Sequence, residues 1–331
     1  MKRTTIKDIS ARLGVNPSTV SRALHDHPDI SPALKEEIRK VAAELRYHPN
    51  QLAANLRKNR SMLVGLILPE INMFFFPSVI KGMEEVLQEE GYQLMVLLSN
   101  ESREQEIKNL RICADYLVDG LMISLVAESP DAQHMEEVRE LGIPVVLFDK
   151  STPEAGLDEI LIDDAEATRE CVRYLLSLGC KRIAGMFGHP DMAISQNRLK
   201  GFTETIAEAG AVQIPPIFAR SFDEARNKSL EWIRVHKPDA FFYMSDETAS
   251  GLLPALKSQG LRVPEDCKVI GISDGHLPYI LDPQLSHYLH DGFEMGRLAA
   301  RTLLQKMNGG PNKDLVQRKF QKGGLVLLGS A

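Results

Sequence analysis

Near its start the chain reads TIKDISARLGVNPSTVSRALH over residues 5–25, and this stretch predicts two short helices joined by a tight turn. Thr5 is a good N-cap, and the Asp8 carboxylate lies near the positive end of the first helix. Gly14 ends that helix, since glycine readily adopts the left-handed conformation required there. Asn16 caps the second helix and is followed by a proline, which is tolerated in a first helical turn. The stretch therefore predicts a helix-turn-helix.

The second helix has two faces of different chemistry. Val20, Ala23 and Leu24 recur at helical spacing and are predicted to pack on the first helix. The outward positions are polar: Ser18, Thr19, Ser21 and Arg22. A short helix that presents small polar groups and an arginine suits the DNA major groove, although this stretch alone also fits an ordinary helical hairpin.

Two further segments favour the DNA-reading interpretation over the hairpin. A third helix is predicted over 31–45, because Ser31 and Pro32 form a helix start and apolar residues follow at helical spacing. Residues 50–58 have helical composition, but so short a helix is not stable alone in water. We therefore expect this segment to fold only against a partner.

Charge is distributed unevenly along the 331 residues. Residues 1–60 carry a net charge of +6, from twelve Lys/Arg and six Asp/Glu, whereas residues 61–331 carry a net charge of −12. A basic module is typical of a nucleic-acid binder, even in a chain that is acidic as a whole. A chain of this length forms more than one domain, so we predict a DNA-binding domain at 1–60 and a second region at 61–331.

Several classes of protein are disfavoured by the sequence. The polar N-terminus predicts no signal peptide, and the longest apolar runs are strand-sized and too short to span a membrane. The four cysteines are scattered without metal-ligand spacing, so we expect them to be reduced and buried in a cytoplasmic protein. No phosphate-binding loop or nucleophile motif is recognisable in the sequence. We therefore predict no cofactor, no metal site and no catalytic residue.

From residue 62 onward, apolar strands alternate with helices. Buried strands are predicted at 62–68, 92–98, 120–125 and 144–148, and again at 160–163, 181–187, 217–220, 240–244 and 268–273. Helices are predicted between them, including 77–90 and 131–141, and a helix at 291–307 and a strand at 325–328 follow. Such alternation indicates parallel sheets covered on both faces. Its two runs predict two doubly wound subdomains, with ligands bound beyond the carboxyl ends of the strands.

The whole chain resembles the lactose-repressor/galactose-repressor (LacI/GalR) family of bacterial transcription regulators. The resemblance is carried by the TIKDI opening, by GVNPSTVSRAL at 14–24 and by the pattern Y-x-P-N-x-x-A-x-x-L at 47–56. It implies an all-α helix-turn-helix DNA-binding domain and an α/β periplasmic-binding-protein-like domain of two doubly wound parallel-sheet subdomains. It also implies three crossings between the subdomains, with 62–161 and 291–320 in one and 162–289 and 321–331 in the other.

The resemblance assigns DNA contacts to the N-terminal domain. Residues 50–58 would form a hinge helix that folds on operator DNA as a symmetric pair, with Ala53 and Leu56 at the DNA and Leu56 wedged into the minor groove. Each copy of a homodimer would read half of a near-palindromic operator. The expected base contacts come from Ser18, Thr19 and Arg22, and the expected phosphate contacts from Thr5, Ser21, Tyr47 and Asn50.

The same resemblance places a small-molecule effector, a sugar or sugar derivative, between the two subdomains. The residues that match the family's ligand positions are Phe75, Phe76, Asp149, Arg198, Phe222, Ser245 and Asp246. Their chemistry suits such a ligand, because a carboxylate accepts two hydroxyl hydrogen bonds and a buried arginine presents five donors in a fixed arrangement. Arg198 is the main anchor in this interpretation.

Two positions depart from the family pattern. Ser273 stands where an effector-binding aspartate is common, so either Asp274 replaces that aspartate after a one-residue shift or the site lacks the carboxylate. His290 stands where the family usually has glutamine. Both departures leave the identity of the effector open.

These features predict a homodimeric, ligand-responsive transcription regulator that represses carbohydrate-use genes and is not an enzyme. A sugar-binding transport protein would share the architecture of 62–331, but it would carry a signal peptide and no DNA module. A sugar-processing enzyme would need an acid–base pair in the cleft, for which Asp149 and Asp246 are the nominal candidates. Nothing in the spacing of these residues proposes a reaction.

Overall fold

The computed structural model describes residues 4–47, 60–71, 74–127, 129, 133–150, 152, 156–309 and 315–331. The chain divides into two compact units, Met1–Arg60 and Ser61–Ala331. The predicted hinge helix at 50–58, with its DNA-contact candidates Asn50, Ala53 and Leu56, lies outside the described residues.

The N-terminal unit consists of three helices, α1 (Ile6–Leu13), α2 (Pro17–Leu24) and α3 (Pro32–Glu44). Each helix begins directly after its predicted N-cap: Thr5, Asn16 and Ser31. Gly14 ends α1 with a φ of 67°, a left-handed value that favours glycine. The predicted helix-turn-helix is confirmed.

The core of this unit consists of apolar residues that the helical spacing assigned to the inside. The buried ones are Ile9, Val20, Ala23, Ile38, Val41 and Ala42. Each of the larger aliphatic side chains contributes about 1.5–3 kcal/mol when fully buried. This small core holds the three helices together and thereby fixes which face of α2 points outward.

The second unit contains two six-stranded sheets covered by helices. The first sheet consists of β1 (Leu63–Leu68), β2 (Gln93–Leu98), β3 (Gly120–Ile123), β4 (Val145–Phe148), β5 (Asp158–Leu161) and β11 (Arg318–Phe320). Its strands are all parallel, in the order β11-β5-β4-β3-β1-β2. We call the half of the unit built on this sheet lobe 1.

The second sheet has the same connectivity and forms lobe 2. It consists of β6 (Ile183–Phe187), β7 (Ile217–Phe218), β8 (Ala240–Tyr243), β9 (Lys268–Ser273), β10 (Ser286–Leu289) and β12 (Leu325–Val326). The order is β12-β10-β9-β8-β6-β7, and only the pairing of β12 with β10 is antiparallel.

Nine helices are described in this unit. They are α4 (Phe75–Glu89), α5 (Arg103–Asp115), α6 (Glu136–Glu140), α7 (Asp164–Ser177), α8 (Ala193–Glu208), α9 (Phe222–His236), α10 (Asp246–Ser258), α11 (Leu277–Ile280) and α12 (Gly292–Met307). Continuous apolar strands alternate with these helices, because a parallel sheet is buried on both faces. The predicted fold class of two doubly wound α/β subdomains is confirmed.

The chain passes between the lobes after β5, after β10 and after β11. Lobe 1 thus draws β11 and α12 from the C-terminal part of the chain, and α12 packs on β3, β4 and β5. The residue boundaries given above for the two subdomains stay a prediction.

The structure differs from the predicted elements in several places. β10 and β11 were not predicted, because both segments are short and mix polar with apolar residues. α4 begins at Phe75 rather than at residue 77, since Pro77 is tolerated throughout the first helical turn. Within the described part of 131–141, the predicted single helix is a 3₁₀ turn at Gln133–Met135 followed by the short α6.

Close packing of α12 on α4 depends on glycine. A Cβ added to Gly82 would lie 2.0 Å from the backbone oxygen of Phe293, and one added to Gly296 would lie 2.1 Å from that of Val79. The two helices therefore touch backbone to backbone, and any side chain at these positions must push them apart.

Gly82→Ala should destabilise the protein, because the added methyl group cannot fit without moving α12. We expect the free energy of unfolding to fall by about 1–3 kcal/mol. Gly324→Ala is the matched control, since a Cβ there meets no atom within 4 Å. Denaturant unfolding compares the two variants with the wild type. If both variants unfold at the same denaturant midpoint, the close contact between α4 and α12 does not require glycine at position 82.

Candidate functional site

The predicted DNA-reading face of α2 points outward. Ser18 and Arg22 are exposed, and Thr19 and Ser21 are partly buried. The opposite side of α2 belongs to the three-helix core. The four side chains therefore share an accessible surface on one short helix, the arrangement that major-groove reading requires.

The other predicted DNA contacts have different surroundings. Thr5 is exposed, and the Asp8 carboxylate accepts hydrogen bonds from the Thr5 N–H and hydroxyl, both at 2.7 Å. Tyr47 packs partly buried against the core, and its N–H donates to the Ala42 oxygen at 2.8 Å. The phosphate-contacting roles of Thr5 and Tyr47 stay predictions.

Residues that follow β1, β4, β6, β8 and β9 line a cavity of about 620 Å³ in the second unit. Lobe 1 contributes Phe75, Phe76 and Asp149, and lobe 2 contributes Arg198, Ser245, Asp246, Ser273 and Asp274. Small-molecule sites commonly measure roughly 300–1,000 Å³. The structure therefore brings eight of the predicted effector-contacting residues together in one cavity of suitable size.

Phe222, by contrast, does not line this cavity. Its side chain is 43% exposed in the first turn of α9, and its backbone packs against the Gly251 position of α10. Ser221 caps α9, so the helix starts at Phe222 and turns the ring toward solvent. The wall is formed instead by Ala219, Arg220 and Glu224. The stacking role predicted for Phe222 is not supported by this geometry.

Arg198 on α8 is held at the centre of lobe 2. Its side chain is nearly fully buried, and its Nε donates to Asp164 Oδ1 at 2.7 Å. Nη1 donates to the Met244 backbone oxygen. Nη2 is buried and has no hydrogen-bond partner among the described residues. Two nitrogens of the guanidinium are thus bonded within the protein, and the third has no acceptor among the described residues.

Asp164, the partner of Arg198, was missing from the predicted site. Burial raises the pKa of Asp164 to about 6, although the Arg198 charge opposes this change. Two adjacent acids at a helix start predict a cap, and Asp163 is that cap, accepting from the Glu166 N–H at 3.0 Å. The second acid therefore had no assigned role in the sequence, and the structure turns it inward to Arg198.

Asp149 is one of the polar residues of the lobe 1 wall. It follows β4 with a left-handed φ of 63°, and its Oδ2 accepts from the Ser124 hydroxyl at 3.2 Å. Burial raises the pKa of Asp149, while the charges of Lys150 and Arg198 act in the opposite direction. Because Asp149 and Arg198 belong to different lobes, a ligand that contacts both joins the two lobes.

A pair of carboxylates lies on the lobe 2 wall. Asp246 is the first residue of α10, directly after the Ser245 cap, and Asp274 follows β9. Burial raises the pKa of Asp246, a hydrogen bond from Ser273 lowers it, and the nearby charge of Asp274 raises it further. Ser273 also accepts from the Gly275 N–H at 3.0 Å. Ser273 and Asp274 both line the cavity.

His290 lies beneath the aromatic pair of lobe 1. Its ring centroid is 4.5 Å from that of Phe75, and Phe75 contacts Phe76 edge to face at 5.3 Å. Burial, together with the nearby Arg198 charge, lowers the pKa of His290 to about 3. His290 is therefore a neutral hydrogen-bonding group, as the family's glutamine would be, and its buried Nε2 has no partner within the described structure.

Two glutamates that the sequence did not single out hold the loop after β3 at the cavity. Glu101 accepts from the Ala127 N–H at 3.0 Å and lies 3.5 Å from the Lys150 ammonium. The buried Glu106 on α5 accepts from the Val126 N–H at 2.9 Å. Acidic residues near the start of a helix are commonly exposed to solvent, so the sequence alone does not predict these contacts with the loop after β3.

The fold and the cavity define a class of protein: a helix-turn-helix unit joined to a periplasmic-binding-protein-like ligand domain. The family model for bacterial regulatory proteins of the lacI family matches residues 5–50. The model for a periplasmic binding protein-like domain matches residues 172–325. Both matches agree with the fold of the two units.

Whole-chain comparisons extend this result. The HTH-type transcriptional repressor CytR of Escherichia coli (strain K12) is 31% identical over 309 residues, which cover 92% of this chain and 90% of that protein. The ribose operon repressor of Haemophilus influenzae is 29% identical, covering 94% and 93%. The lac repressor dimer bound to operator and the anti-inducer ONPF matches with a TM-score of 0.87 at 22% identity, covering 99% of both chains.

The chain belongs to the LacI family of bacterial regulatory proteins and is a DNA-binding transcriptional regulator. In the part of the chain that the structure describes, no helix is long and apolar enough to cross a membrane. The same residues contain no group of three or more His, Cys, Asp or Glu side chains placed to hold a metal ion.

Arg198→Ala should destabilise the protein, because it leaves the Asp164 carboxylate buried without its cation. We expect a loss of about 3–5 kcal/mol in the free energy of unfolding at pH 8. The loss should be smaller at pH 5, since protonation removes the unpaired charge. Denaturant unfolding at both pH values measures the effect.

The double variant Arg198→Ala, Asp164→Asn is the control for this prediction. It has no buried charge at this position, so it should recover part of the loss at pH 8 and show little change with pH. A double variant as unstable as Arg198→Ala would mean that lost packing, rather than the unpaired carboxylate, causes the effect.

Proposed function

We propose that this regulator is a homodimeric repressor of carbohydrate-use genes, and that a sugar or sugar derivative bound in the cavity controls its affinity for a near-palindromic operator. In this proposal Phe75, Phe76, Asp149, Arg198, Ser245, Asp246, Ser273 and Asp274 are the effector-contacting residues. The cavity binds its ligand without transforming it, and the protein acts in the cytoplasm, where operator DNA is accessible.

The observation that carries this proposal is the buried Nη2 nitrogen of Arg198, which has no hydrogen-bond partner among the described residues. A buried polar group without a partner costs free energy of about 1–3 kcal/mol, and more when it is charged. A ligand that completes the hydrogen bonds of such a group removes this cost when it binds. Arg198 Nη2, Asp246 Oδ1 and His290 Nε2 are all buried without partners among the described residues, and all three side chains line the same cavity.

The remaining wall fits a polyhydroxylated ligand. Phe75 and Phe76 offer apolar ring surface on one side. Asp149 and Asp246 offer acceptors, and Arg198 offers donors, as a ring with several hydroxyl groups requires. The names of the relatives point the same way, since one is a ribose operon repressor.

DNA binding is proposed to use the exposed face of α2. Arg22 can donate two hydrogen bonds to the O6 and N7 atoms of guanine, and Ser18 can reach either base type at short range. One α2 reads only a few base pairs, so two copies related by a twofold axis supply the length of a specific site. The lac repressor structure that this fold matches is a dimer bound to operator.

Effector control is proposed to arise from lobe closure. Asp149 and Arg198 belong to different lobes, so a ligand that binds both favours the conformation in which they approach each other. A ligand shifts an equilibrium only by its difference in affinity between two states. Closure would change how two copies meet, and therefore whether their two hinge segments can pair on DNA.

Arg22→Ala should weaken operator binding and relax sequence preference at one position of each half-site. We expect a loss of about 1–3 kcal/mol per half-site against the best operator. The matched control is an operator in which the contacted guanine is replaced, on which wild type and variant should bind alike. Selection from randomised duplexes followed by titration measures both. Equal losses on both operators would show that Arg22 contacts phosphate rather than a base.

Arg198→Lys should weaken effector binding, because lysine keeps the positive charge beside Asp164 but lacks the planar fork of donors. We expect the effector midpoint for operator release to rise tenfold or more, equivalent to about 1.4 kcal/mol. Operator binding titrated with a sugar that releases the wild type measures the midpoint. Arg262→Lys, at an exposed arginine bonded to Asp266, is the control and should not change it. An unshifted midpoint in Arg198→Lys contradicts the proposed anchor.

A further inference from the structure

One carboxylate holds the first residues of the second unit to lobe 1. Asp119, directly before β3, accepts from the Ser61 N–H at 2.8 Å through Oδ1 and from the Met62 N–H at 3.0 Å through Oδ2. The Ser61 hydroxyl also donates to Oδ1, at 3.1 Å. Hydrogen bonds to an ionised group are stronger than those between neutral groups. Residues 48–60, which we call the connecting segment, lead from the three helices to this point, so Asp119 holds the place where the segment joins lobe 1.

Lobe 2 contains a counterpart of this contact. The two sheets have the same connectivity, in which β3 corresponds to β8 and β1 to β6. Asp239, directly before β8, accepts from the Lys181 N–H at 2.8 Å and from the Arg182 N–H at 3.0 Å. Asp119 and Asp239 are both half-buried. In lobe 2 the bonded residues follow α7 of the same lobe, so the contact there only joins the starts of two strands.

The two contacts differ in register by one residue. The residue of β1 that first pairs with β3 is Val64, and the residue of β6 that first pairs with β8 is Ile183. Counted back from these residues, Asp119 bonds the second and third, whereas Asp239 bonds the first and second. The lobe 1 carboxylate thus reaches one residue further toward the DNA-binding unit.

This longer reach has a conformational cost. Met62 adopts a left-handed φ of 58°, whereas its counterpart Lys181 is not among the residues with positive φ. A side chain other than glycine disfavours that conformation. The Leu63 N–H, whose counterpart bonds to the carboxylate in lobe 2, donates instead to the Ser61 hydroxyl at 3.2 Å. Lobe 2 joins its strands without this cost, which favours a role for the lobe 1 contact beyond closing the sheet.

The strands that start at this contact end at the cavity. β1 begins after Met62, and Pro69 and Glu70, which follow it, line the cavity. β3 begins after Asp119, and Ala127 in the loop beyond it lines the cavity as well. The two strands are parallel and paired along the length of β3. The origin of the connecting segment and part of the cavity wall are therefore opposite ends of one hydrogen-bonded pair of strands.

We propose that Asp119 is a positioning residue for DNA binding, because it fixes where and in which direction the connecting segment leaves lobe 1. This inference rests on the proposed function, in which two copies bind one operator. Once one DNA-binding unit has bound its half-site, a fixed origin of the segment raises the effective concentration of the second unit at the other half-site. A loose origin lowers it, since more conformational freedom is lost on binding.

The first experiment compares Asp119→Asn with Asp239→Asn in the full chain. Each substitution keeps the shape of the side chain and replaces one acceptor oxygen by an NH₂ group, so each loses a backbone hydrogen bond at a corresponding place. The probes are a duplex that the wild type selects from a randomised pool and a scrambled duplex of the same composition. We expect Asp119→Asn to weaken binding to the selected duplex by roughly tenfold and binding to the scrambled duplex hardly at all. Asp239→Asn should change neither.

Thermal unfolding of the same two variants measures the purely structural effect. Both should lower the unfolding midpoint by similar amounts, since each loses one comparable hydrogen bond. If both variants lose affinity for the selected duplex equally, or if neither does, Asp119 only closes the sheet and the positioning role is wrong. An equal loss by Asp119→Asn on both duplexes also contradicts it, because non-specific binding requires no fixed register.

Ser61→Ala decides the question if Asp119→Asn does not fold. It keeps both backbone hydrogen bonds and removes only the hydroxyl, so it should weaken binding to the selected duplex by roughly threefold at an unchanged midpoint. Ser177→Ala is its control, because that hydroxyl donates within α7, to the Tyr174 oxygen. A Ser61→Ala variant that binds like this control overturns the inference. A selected duplex that binds a single copy contradicts the proposed homodimer, whereas the comparison of Asp119→Asn with Asp239→Asn decides the positioning role in either case.

Discussion

The ion pair between Arg198 and Asp164 is the interaction on which the effector region depends. Asp164 begins α7 three residues after β5, at the point where the chain leaves lobe 1 for lobe 2. Arg198 binds this crossing point and the Met244 oxygen, and its side chain lines the cavity. In the proposed function, ligand binding and the connection between the lobes therefore depend on the same guanidinium. A group fixed on two sides loses little conformational entropy when it binds a third partner.

Buried carboxylates make this cavity costly to maintain without a ligand. Asp164 and Asp246 both occupy the first turn of a helix, where the positive end of the helix dipole offsets part of the cost of burying a carboxylate. Asp149 has no such helix and is bonded instead to the Ser124 hydroxyl. Unsatisfied atoms in a native structure commonly mark sites where function rather than stability has selected the residue.

The sequence predicted the fold well because local rules and global packing agree over most of the chain. Thr5, Gly14 and Asn16 set the helix boundaries of the N-terminal unit, and apolar strands bounded by glycine and proline set the two sheets. β10 and β11 escaped prediction, because their pairing is decided by distant strands and not by their own composition. Lobe crossings have no local signal either, so only the family resemblance predicted that there are three.

The position of the ligand cavity was predictable from the sequence, but the partners of its charged side chains were not. Strand ends placed Asp149 at the carboxyl edge of one sheet and Asp246 at that of the other, which are the edges where ligands of parallel sheets bind. The partners Asp164 and Glu106 lie in helices and Glu101 lies in the turn before one, and their inward orientation depends on tertiary packing.

The two units carry opposite net charges, and only the first has the sign that favours DNA binding. Residues 1–60 carry +6 and attract the DNA backbone, whereas residues 61–331 carry −12 and surround a cavity rich in carboxylates. DNA is a polyanion, so this distribution of charge favours its binding to the first unit and disfavours its binding to the second.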